Sequence, residues 1–320
     1  MLIYGAVLGC LDPVLSIAAG LSCRSPFLSS GDPEKRTAID ASKRRVAALG
    51  GGRSDHTLLA VAVSEWEAAR DRGGGGGGGR RGGGQAAYCR ENGLSSERMK
   101  ELGDVRQQLA QALAGIGFVP DARGAFDPSS TVNAQARSWR VVKAAVCAGL
   151  YPRVVRVQRP MERFVDLVGL GAVAARHTAK EFQFFTRRAG GGACGPGLDD
   201  RVFVHPSSIN SATNDWSCPY LVYHERVHTS RVFVRDCTEV SPYALLLFGG
   251  QVAVQAGLGK ITVDGWVRFE AIGRIAALVN KLKQQLDAML WEKIGDPRLD
   301  VAGSKLSRAL VKLLQTDGMG

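Results

Sequence analysis

The strongest constraint on the fold of this chain is a series of strand-like segments in its second half. Five segments alternate apolar and polar residues: Y-P-R-V-V-R-V (151–157), R-V-F-V-H (201–205), Y-L-V-Y-H-E-R-V-H (220–228), R-V-F-V-R-D-C-T-E (231–239) and I-T-V-D-G-W-V-R-F-E (261–270). A short apolar helix, Y-A-L-L-L-F, separates the fourth from the fifth. Five strands with one such helix are typical of the closed barrel of an OB-fold.

The first half of the chain has a helical periodicity instead. One helix face carries Met99, Leu102, Val105, Leu109 and Leu113, and Ser95 or Ser96 is suited to cap that helix. Residues 271–294 show the same spacing and predict a C-terminal helix. The predicted fold class is therefore α+β and multidomain, with a helical bundle over 1–150, a five-stranded OB-fold barrel over 151–270 and a helical extension over 271–320.

A glycine-rich segment interrupts the helical bundle at 73–84. Glycine has the most backbone entropy to lose on folding and has no side chain to bury, so we expect a flexible insertion between two helices. Its two arginines, Arg80 and Arg81, could contact a nucleic acid, but low-complexity padding is the preferred interpretation.

Charge and cysteine usage narrow the class of protein. The formal net charge of +11 favours encounter with a polyanion, although charge alone does not identify one. Seven cysteines are spread singly, without a C-x-x-C pair, which argues against a zinc site of the usual spacing. Single cysteines within apolar runs are typical of reduced thiols, so we expect a cytoplasmic or nuclear protein.

The apolar start of the chain does not predict a membrane segment. Asp12 and Pro13 lie in its middle, and the uninterrupted apolar run is too short to cross a bilayer. We therefore expect short buried helices there and no membrane partner.

Motifs for catalysis are absent from the sequence. No G-x-x-x-x-G-K-[ST] loop is present, because G-L-G-K at 257–260 is followed by isoleucine. His224 and His228 would lie about 13 Å apart on a strand, too far for one metal ion. The carboxylates Glu225 and Asp236 have no special setting. We expect no catalytic residues, no metal site and no cofactor in this chain.

Several polar residues of the predicted barrel could contact a nucleic acid. His205 opens a polar loop with Ser207 and Ser208, whose hydroxyls could bind phosphate or merely close a turn. Tyr223 could stack on a base or face the barrel interior. Arg235 could bind phosphate or pair with Asp236 or Glu225.

The amino-acid sequences of several segments resemble those of a known family. M-L-I-Y-G-A-V-L-G-C-L-D-P at the start, S-D-H-T-L-L-A-V at 54–61, Y-C-R-E-N-G-L-S at 88–95 and V-C-A-G-L-Y-P-R-V at 146–154 are similar to the C-terminal region of DEAH-box ATP-dependent RNA helicases. In that family a helicase-associated, or ratchet, domain precedes an OB-fold. The segment V-D-G-W-V-R-F-E-A at 263–271 most resembles the RNA helicase A-like subgroup.

The resemblance implies a function and partners. In the family, the H-P-S-S loop and a T-S pair line the exit side of the RNA channel, which corresponds here to His205, Ser207, Ser208, Thr229 and Ser230. The implied partners are single-stranded RNA, RecA-like domains that bind ATP and magnesium, and a protein activator on the OB-fold. We expect the RNA-binding C-terminal part of a helicase, a fragment that hydrolyses no ATP alone. The alternative is a module that docks proteins without contacting RNA.

Overall fold

The computed structural model of the chain describes residues 1–72, 83–161, 164–167, 171–174, 177–188, 199–255, 259–270 and 273–317. Most of the predicted glycine-rich insertion, 73–82, lies outside these residues, while Gly83 and Gly84 begin a helix. Among the described residues, no helix is both long and apolar enough to cross a membrane.

The first part of the molecule is helical, as predicted. Its helices are α1 (Leu2–Val7), α2 (Leu11–Ser22), α3 (Pro33–Leu49), α4 (Asp55–Arg72), α5 (Gly83–Glu91), α6 (Ser96–Gly115) and α7 (Trp139–Leu150). The side chain of Ser95 accepts a hydrogen bond from the backbone N–H of Arg98 and so caps α6. The face predicted for α6 is confirmed, because Met99 and Leu102 are fully buried in a core shared with α2, α3, α4 and α5.

Five strands then close into a barrel. They are β1 (Val154–Gln158), β4 (Gln183–Arg187), β5 (Asp199–Val204), β6 (Tyr220–His228) and β7 (Val232–Glu239), paired in the order β1-β4-β5-β7-β6 and back to β1. The β5–β7 pair is parallel and the others are antiparallel. A separate hairpin, β2 (Phe164–Leu167) with β3 (Gly171–Ala174), lies between β1 and β4 in the sequence.

The predicted five-stranded barrel is confirmed, but one of its predicted strands was wrong. The segment 261–270 does not enter the barrel. Its place is taken by β4, whose Phe184 and Thr186 face the barrel interior while Phe185 and Arg187 face outward. The last barrel strand along the chain is β7. The apolar helix α8 (Pro242–Phe248) therefore follows the barrel instead of separating two of its strands.

The segment 252–270 forms a sheet of its own, β8 (Val252–Gln255), β9 (Lys260–Val263) and β10 (Val267–Glu270). Asp264 and Gly265 turn between β9 and β10 with φ of 50° and 67°. The sheet is joined to the barrel because the indole N–H of Trp266 donates to Asp199 at 2.7 Å.

Two helices, α9 (Gly273–Gly295) and α10 (Lys305–Thr316), end the described chain. They pack with α7, α8 and β9 in one hydrophobic core that also takes Val7 and Ile17 from the helical part and Val222 from the barrel. A second core fills the barrel around Val155, Val202 and Leu221. The shared core fixes the helical part and the barrel against each other, and so positions the cleft between them.

Candidate nucleic-acid interface

A cleft of about 930 Å³ lies between the helical part and the barrel. One wall is the segment that follows α2, residues 23–29, and the other is the middle of strands β6 and β7, residues 223–226 and 235–236. We call this feature the ratchet–barrel cleft.

The first wall is extended because backbone bonds hold it against the turn before α6. The N–H of Leu28 donates to the carbonyl of Gly93 at 2.8 Å, and the N–H of Ser95 donates to the carbonyl of Pro26 at 2.9 Å. The guanidinium of Arg98 donates to the carbonyl of Ser25 at 2.9 Å. The segment is therefore fixed in place and presents its side chains to the cleft.

Positive charge dominates the cleft. Its lining includes six cationic side chains, Arg24, Lys43, Arg98, Arg153, Arg226 and Arg235, and three carboxylates, Asp55, Glu225 and Asp236. One of those carboxylates, Asp55, is occupied by hydrogen bonds to the barrel. The surplus of positive charge suits a polyanion such as a nucleic-acid backbone.

The start of α4 is clamped to the barrel beside the cleft. The carboxylate of Asp55 accepts hydrogen bonds from the Ser208 hydroxyl at 2.5 Å and from the backbone N–H groups of Ile209 and Cys237 at 2.9 and 2.8 Å. The Ser54 hydroxyl lies 2.7 Å from the hydroxyl of Thr238. Ser54, Ser208 and Thr238 are buried and Asp55 is partly buried, so this polar junction holds the start of α4 against the barrel.

Burial changes the titration of two neighbouring groups in the junction. It raises the pKa of the Asp55 carboxyl to about 6, because desolvation outweighs the hydrogen bonds that favour the charged form. It lowers the pKa of the His56 imidazole to about 3, and the nearby His224 acts in the same direction. Nδ1 of His56 lies 2.6 Å from the Thr238 hydroxyl. His56 is therefore neutral at pH 7 and adds no charge to the cleft.

Three of the predicted contact residues line the cleft: Ser207, Tyr223 and Arg235. Tyr223 is half-buried and packs on the barrel core. Facing the barrel interior and stacking on a base are therefore not exclusive for this residue. Arg235 lies 3.6 Å from the carboxylate of Glu225, and both side chains remain about half exposed. The pair leaves the Arg235 guanidinium accessible to a further anion.

The structure places the other four predicted residues elsewhere. The ring of His205 packs edge-on against Phe233, with centroids 5.7 Å apart, and its Nδ1 lies 2.7 Å from the Ser207 hydroxyl. Ser208 is buried and its hydroxyl is bound to Asp55. Thr229 and Ser230 are exposed at the tip of the β6–β7 hairpin, outside the cleft lining. Their contact with RNA stays a prediction.

The sequence alone did not predict most residues of the first wall, nor the hydrogen bonds of Asp55 to the barrel. Arg24, Lys43 and Arg98 come from three separate segments, and no local pattern shows that they converge. For Asp55 a signal was available, since a serine and an aspartate precede the apolar run of α4, although this pattern predicts only a helix start.

Comparison with known protein families agrees with this architecture. Residues 1–59 match the helicase associated domain (HA2), ratchet-like; residues 142–252 match an oligonucleotide/oligosaccharide-binding (OB)-fold; and residues 259–316 match the C-terminal domain in RNA helicases. The chain is homologous to the C-terminal region of DEAH-box RNA helicases.

Individual relatives support the same assignment. The chain is 36% identical over 299 residues to human ATP-dependent DNA/RNA helicase DHX36, which covers 93% of this chain and 26% of that protein. It is 34% identical over 339 residues to human putative ATP-dependent RNA helicase DHX57, covering 99% of this chain and 23% of the relative. It is 33% identical over 319 residues to DExH-box ATP-dependent RNA helicase DExH1 of Arabidopsis thaliana, covering 99% of this chain and 27% of that relative. The chain thus spans about a quarter of the length of these relatives.

Proposed function

We propose that the ratchet–barrel cleft binds single-stranded RNA and that the chain is an RNA-binding part of an ATP-dependent RNA helicase. The observation that carries this proposal is the convergence of six cationic side chains from both walls on one cleft. Phosphates would bind to the arginines, and a base would stack on Tyr223.

The homologous region supports a place for the cleft in a larger enzyme. In a longer protein, RecA-like domains would close the open side of the cleft and hydrolyse ATP, and their movement would shift RNA along it. Ser207 and Arg235 would then contact the RNA backbone on the barrel side.

Binding through phosphates is tested by its salt dependence. We expect fluorescence anisotropy with a labelled single-stranded RNA to give an apparent Kd that weakens steeply as salt rises. Replacing one arginine on each wall, Arg24→Gln with Arg235→Gln, should reduce the slope of log K against log salt by about 1.4. The matched control is Arg308→Gln with Lys312→Gln, which removes the same charge from the exposed face of α10.

The control separates a site from a general charge effect. Equal weakening by both double variants would show that only net charge matters and would remove the cleft from the proposal. Absence of RNA binding at low salt, with retained folding, would favour the alternative of a protein-docking module.

A further inference from the structure

A groove of about 520 Å³ lies between the end of α6 and the connection from α9 to α10. Residues 117–120 and 130–132 form one wall, and residues 297–302 form the other. Among the described residues, none lines both this groove and the ratchet–barrel cleft, so the two features are distinct. The volume falls within the range of about 300–1,000 Å³ that is typical of ligand sites. We call this feature the C-terminal groove.

The two walls are held together by one buried ammonium group. Lys293 of α9 is buried, and its Nζ donates hydrogen bonds to the carbonyl oxygens of Pro297 and Leu299, the second at 2.8 Å. The same Nζ lies 5.2 Å from the ring centroid of Phe118 on the other wall, which is a cation–π contact. Because Lys293 contacts both walls, the groove is preformed and does not depend on a ligand.

Large apolar side chains are exposed around the groove. The exposed fractions are 75% for Trp291, 56% for Ile116, 49% for Ile294 and 39% for Leu299. Leu299 lines the groove, and Ile116 is next in sequence to the lining residue Gly117. Trp291 and Ile294 are three residues apart and share one face of α9, which ends beside the groove. The apolar surface therefore extends beyond the groove, so the ligand it suits is a polypeptide segment and not a small molecule.

Carboxylates surround this apolar surface. The exposed charged side chains between 284 and 304 are one cation, Arg298, and four carboxylates, Asp287, Glu292, Asp296 and Asp300. Among the described residues, none of these four carboxylates has an ion-pair partner. The exposed charge here is therefore negative, although the net charge of the chain is +11. A negative rim attracts a basic partner and repels the phosphates of a nucleic acid.

We propose that the C-terminal groove docks a basic amphipathic segment of a partner protein. One apolar side chain of that segment enters the groove between Phe118 and Leu299, and its neighbours pack on Trp291. Lysine or arginine side chains on the flanks of the segment pair with Asp287 and Glu292. The surface has the parts of a protein interface, an exposed aromatic anchor and an apolar centre within a charged rim.

A pair of synthetic peptides tests the chemistry of the ligand. The probe is a fluorescein-labelled peptide of about 14 residues, with leucines at helical spacing on one face and lysines on the other. The control peptide has glutamate in place of every lysine. We expect fluorescence anisotropy with the full chain to show binding of the basic peptide and at least about tenfold weaker binding of the acidic one. The assay contains no RNA, so its result does not depend on RNA binding in the ratchet–barrel cleft.

An apolar variant tests whether the peptide lies on the groove. Trp291→Ala with Leu299→Ser should raise the Kd of the basic peptide about tenfold, because it removes the anchor and one wall contact. The matched control is Leu49→Ser with Leu278→Ser, whose side chains are 60% and 59% exposed and lie outside the groove lining. This control should change the Kd by less than about twofold.

A charge variant tests the rim. Asp287→Lys with Glu292→Lys should also raise the Kd of the basic peptide about tenfold, through repulsion. Glu101→Lys with Asp104→Lys makes the same change of charge on the exposed face of α6, outside the groove lining, and should have less than about a twofold effect. All the replaced carboxylates are exposed, so the melting temperature should stay unchanged in both variants.

The outcomes separate a peptide site from other uses of the surface. Selective weakening of the basic peptide by both groove variants, with unchanged RNA affinity, supports the proposal. Equal binding of the two peptides, no binding of the basic peptide by the folded chain, or equal weakening by the variants and their controls overturns it. A dimer of the unmodified chain that dissociates in Trp291→Ala with Leu299→Ser assigns the surface to a second copy instead. Weaker RNA binding in that variant makes the surface part of a nucleic-acid site, which also overturns the proposal.

Discussion

The carboxylate of Asp55 accepts a 2.5 Å hydrogen bond from the hydroxyl of Ser208. Asp55 begins α4 in the helical part, and Ser208 caps the 3₁₀ turn that follows strand β5 of the barrel. The bond therefore joins the two parts beside the ratchet–barrel cleft. The width of the cleft depends on a small buried polar junction, and the chemistry of that junction is open to test.

Ser208→Ala should lower the free energy of unfolding by about 1–3 kcal/mol, because Asp55 loses a donor in a buried site. RNA affinity at low salt should stay within about twofold of the original, since the hydroxyl is not free to bind phosphate. Urea unfolding and anisotropy check the two effects. Ser207→Ala is the control for stability alone, since the Ser207 side chain is exposed and the free energy of unfolding should not change. Weaker RNA binding by Ser208→Ala at unchanged stability would restore Ser208 as an RNA contact.

His56→Asn should make the protein less sensitive to acid. The folded-state pKa of His56 is about 3, below its ordinary value of 6.5, so its contribution to stability is complete above pH 6.5 and is lost as pH falls. Between pH 7 and pH 5 this loss amounts to about 2 kcal/mol in the unmodified protein and is absent from the variant. Urea unfolding at the two pH values measures the difference. Parallel pH dependence of the two proteins would contradict a neutral buried His56.

Asp55→Asn should change the pH dependence in the opposite direction. The folded-state pKa of Asp55 is raised to about 6, so the folded protein keeps a proton that the unfolded chain releases between pH 3.8 and 6. This group stabilises the fold at low pH, and the contribution is lost as pH rises through that window. On going from pH 7 to pH 5, the unmodified protein should therefore gain about 1 kcal/mol relative to the variant. A loss of stability of the unmodified protein relative to the variant between pH 7 and pH 5 would show that the hydrogen bonds to Asp55 outweigh its desolvation.

Arg106→Met should destabilise the helical part by about 2 kcal/mol. Arg106 of α6 is buried, pairs with Asp12 of α2 and Glu67 of α4, and lies 4.5 Å from the ring centroid of Phe126. The two carboxylates are partly exposed and can be rehydrated, which limits the cost. Arg106→Lys keeps the charge but cannot bridge both carboxylates with one planar group. Its stability should therefore lie between that of the unmodified protein and that of Arg106→Met. Unfolding of both variants at the original urea midpoint would show that the three-residue pairing adds nothing.

Much of the fold was predictable because its periodicities are local. Alternation identified β1, β5, β6 and β7, and the helical spacing identified α6 and α9. The error lay in strand pairing, which is a non-local property. The segment 183–187 alternates as clearly as the others, with Phe184 inward and Phe185 outward, but it is only five residues long. Its membership of the barrel became visible only when its partners β1 and β5 were in place.

The site was predictable on one wall only. Ser207, Tyr223 and Arg235 lie on or next to β5, β6 and β7, which the sequence identified as barrel strands, and all three line the cleft. The opposite wall brings together residues far apart in the sequence, such as Arg24 and Arg98, and their approach depends on the packing of α2 against α6. Ser208 shows the limit of reading a polar loop by itself, because its hydroxyl is used by Asp55, 153 positions away.

The central claim is that single-stranded RNA lies in the ratchet–barrel cleft, and crosslinking locates it most directly. A single-stranded RNA containing 4-thiouridine would be irradiated with the purified chain, and the modified peptides would be identified by mass spectrometry. We predict crosslinks on both walls, within 23–29 and 220–226, that disappear at high salt and in Arg24→Gln with Arg235→Gln. Crosslinks confined to α9 and α10, unchanged in that variant, would contradict the account.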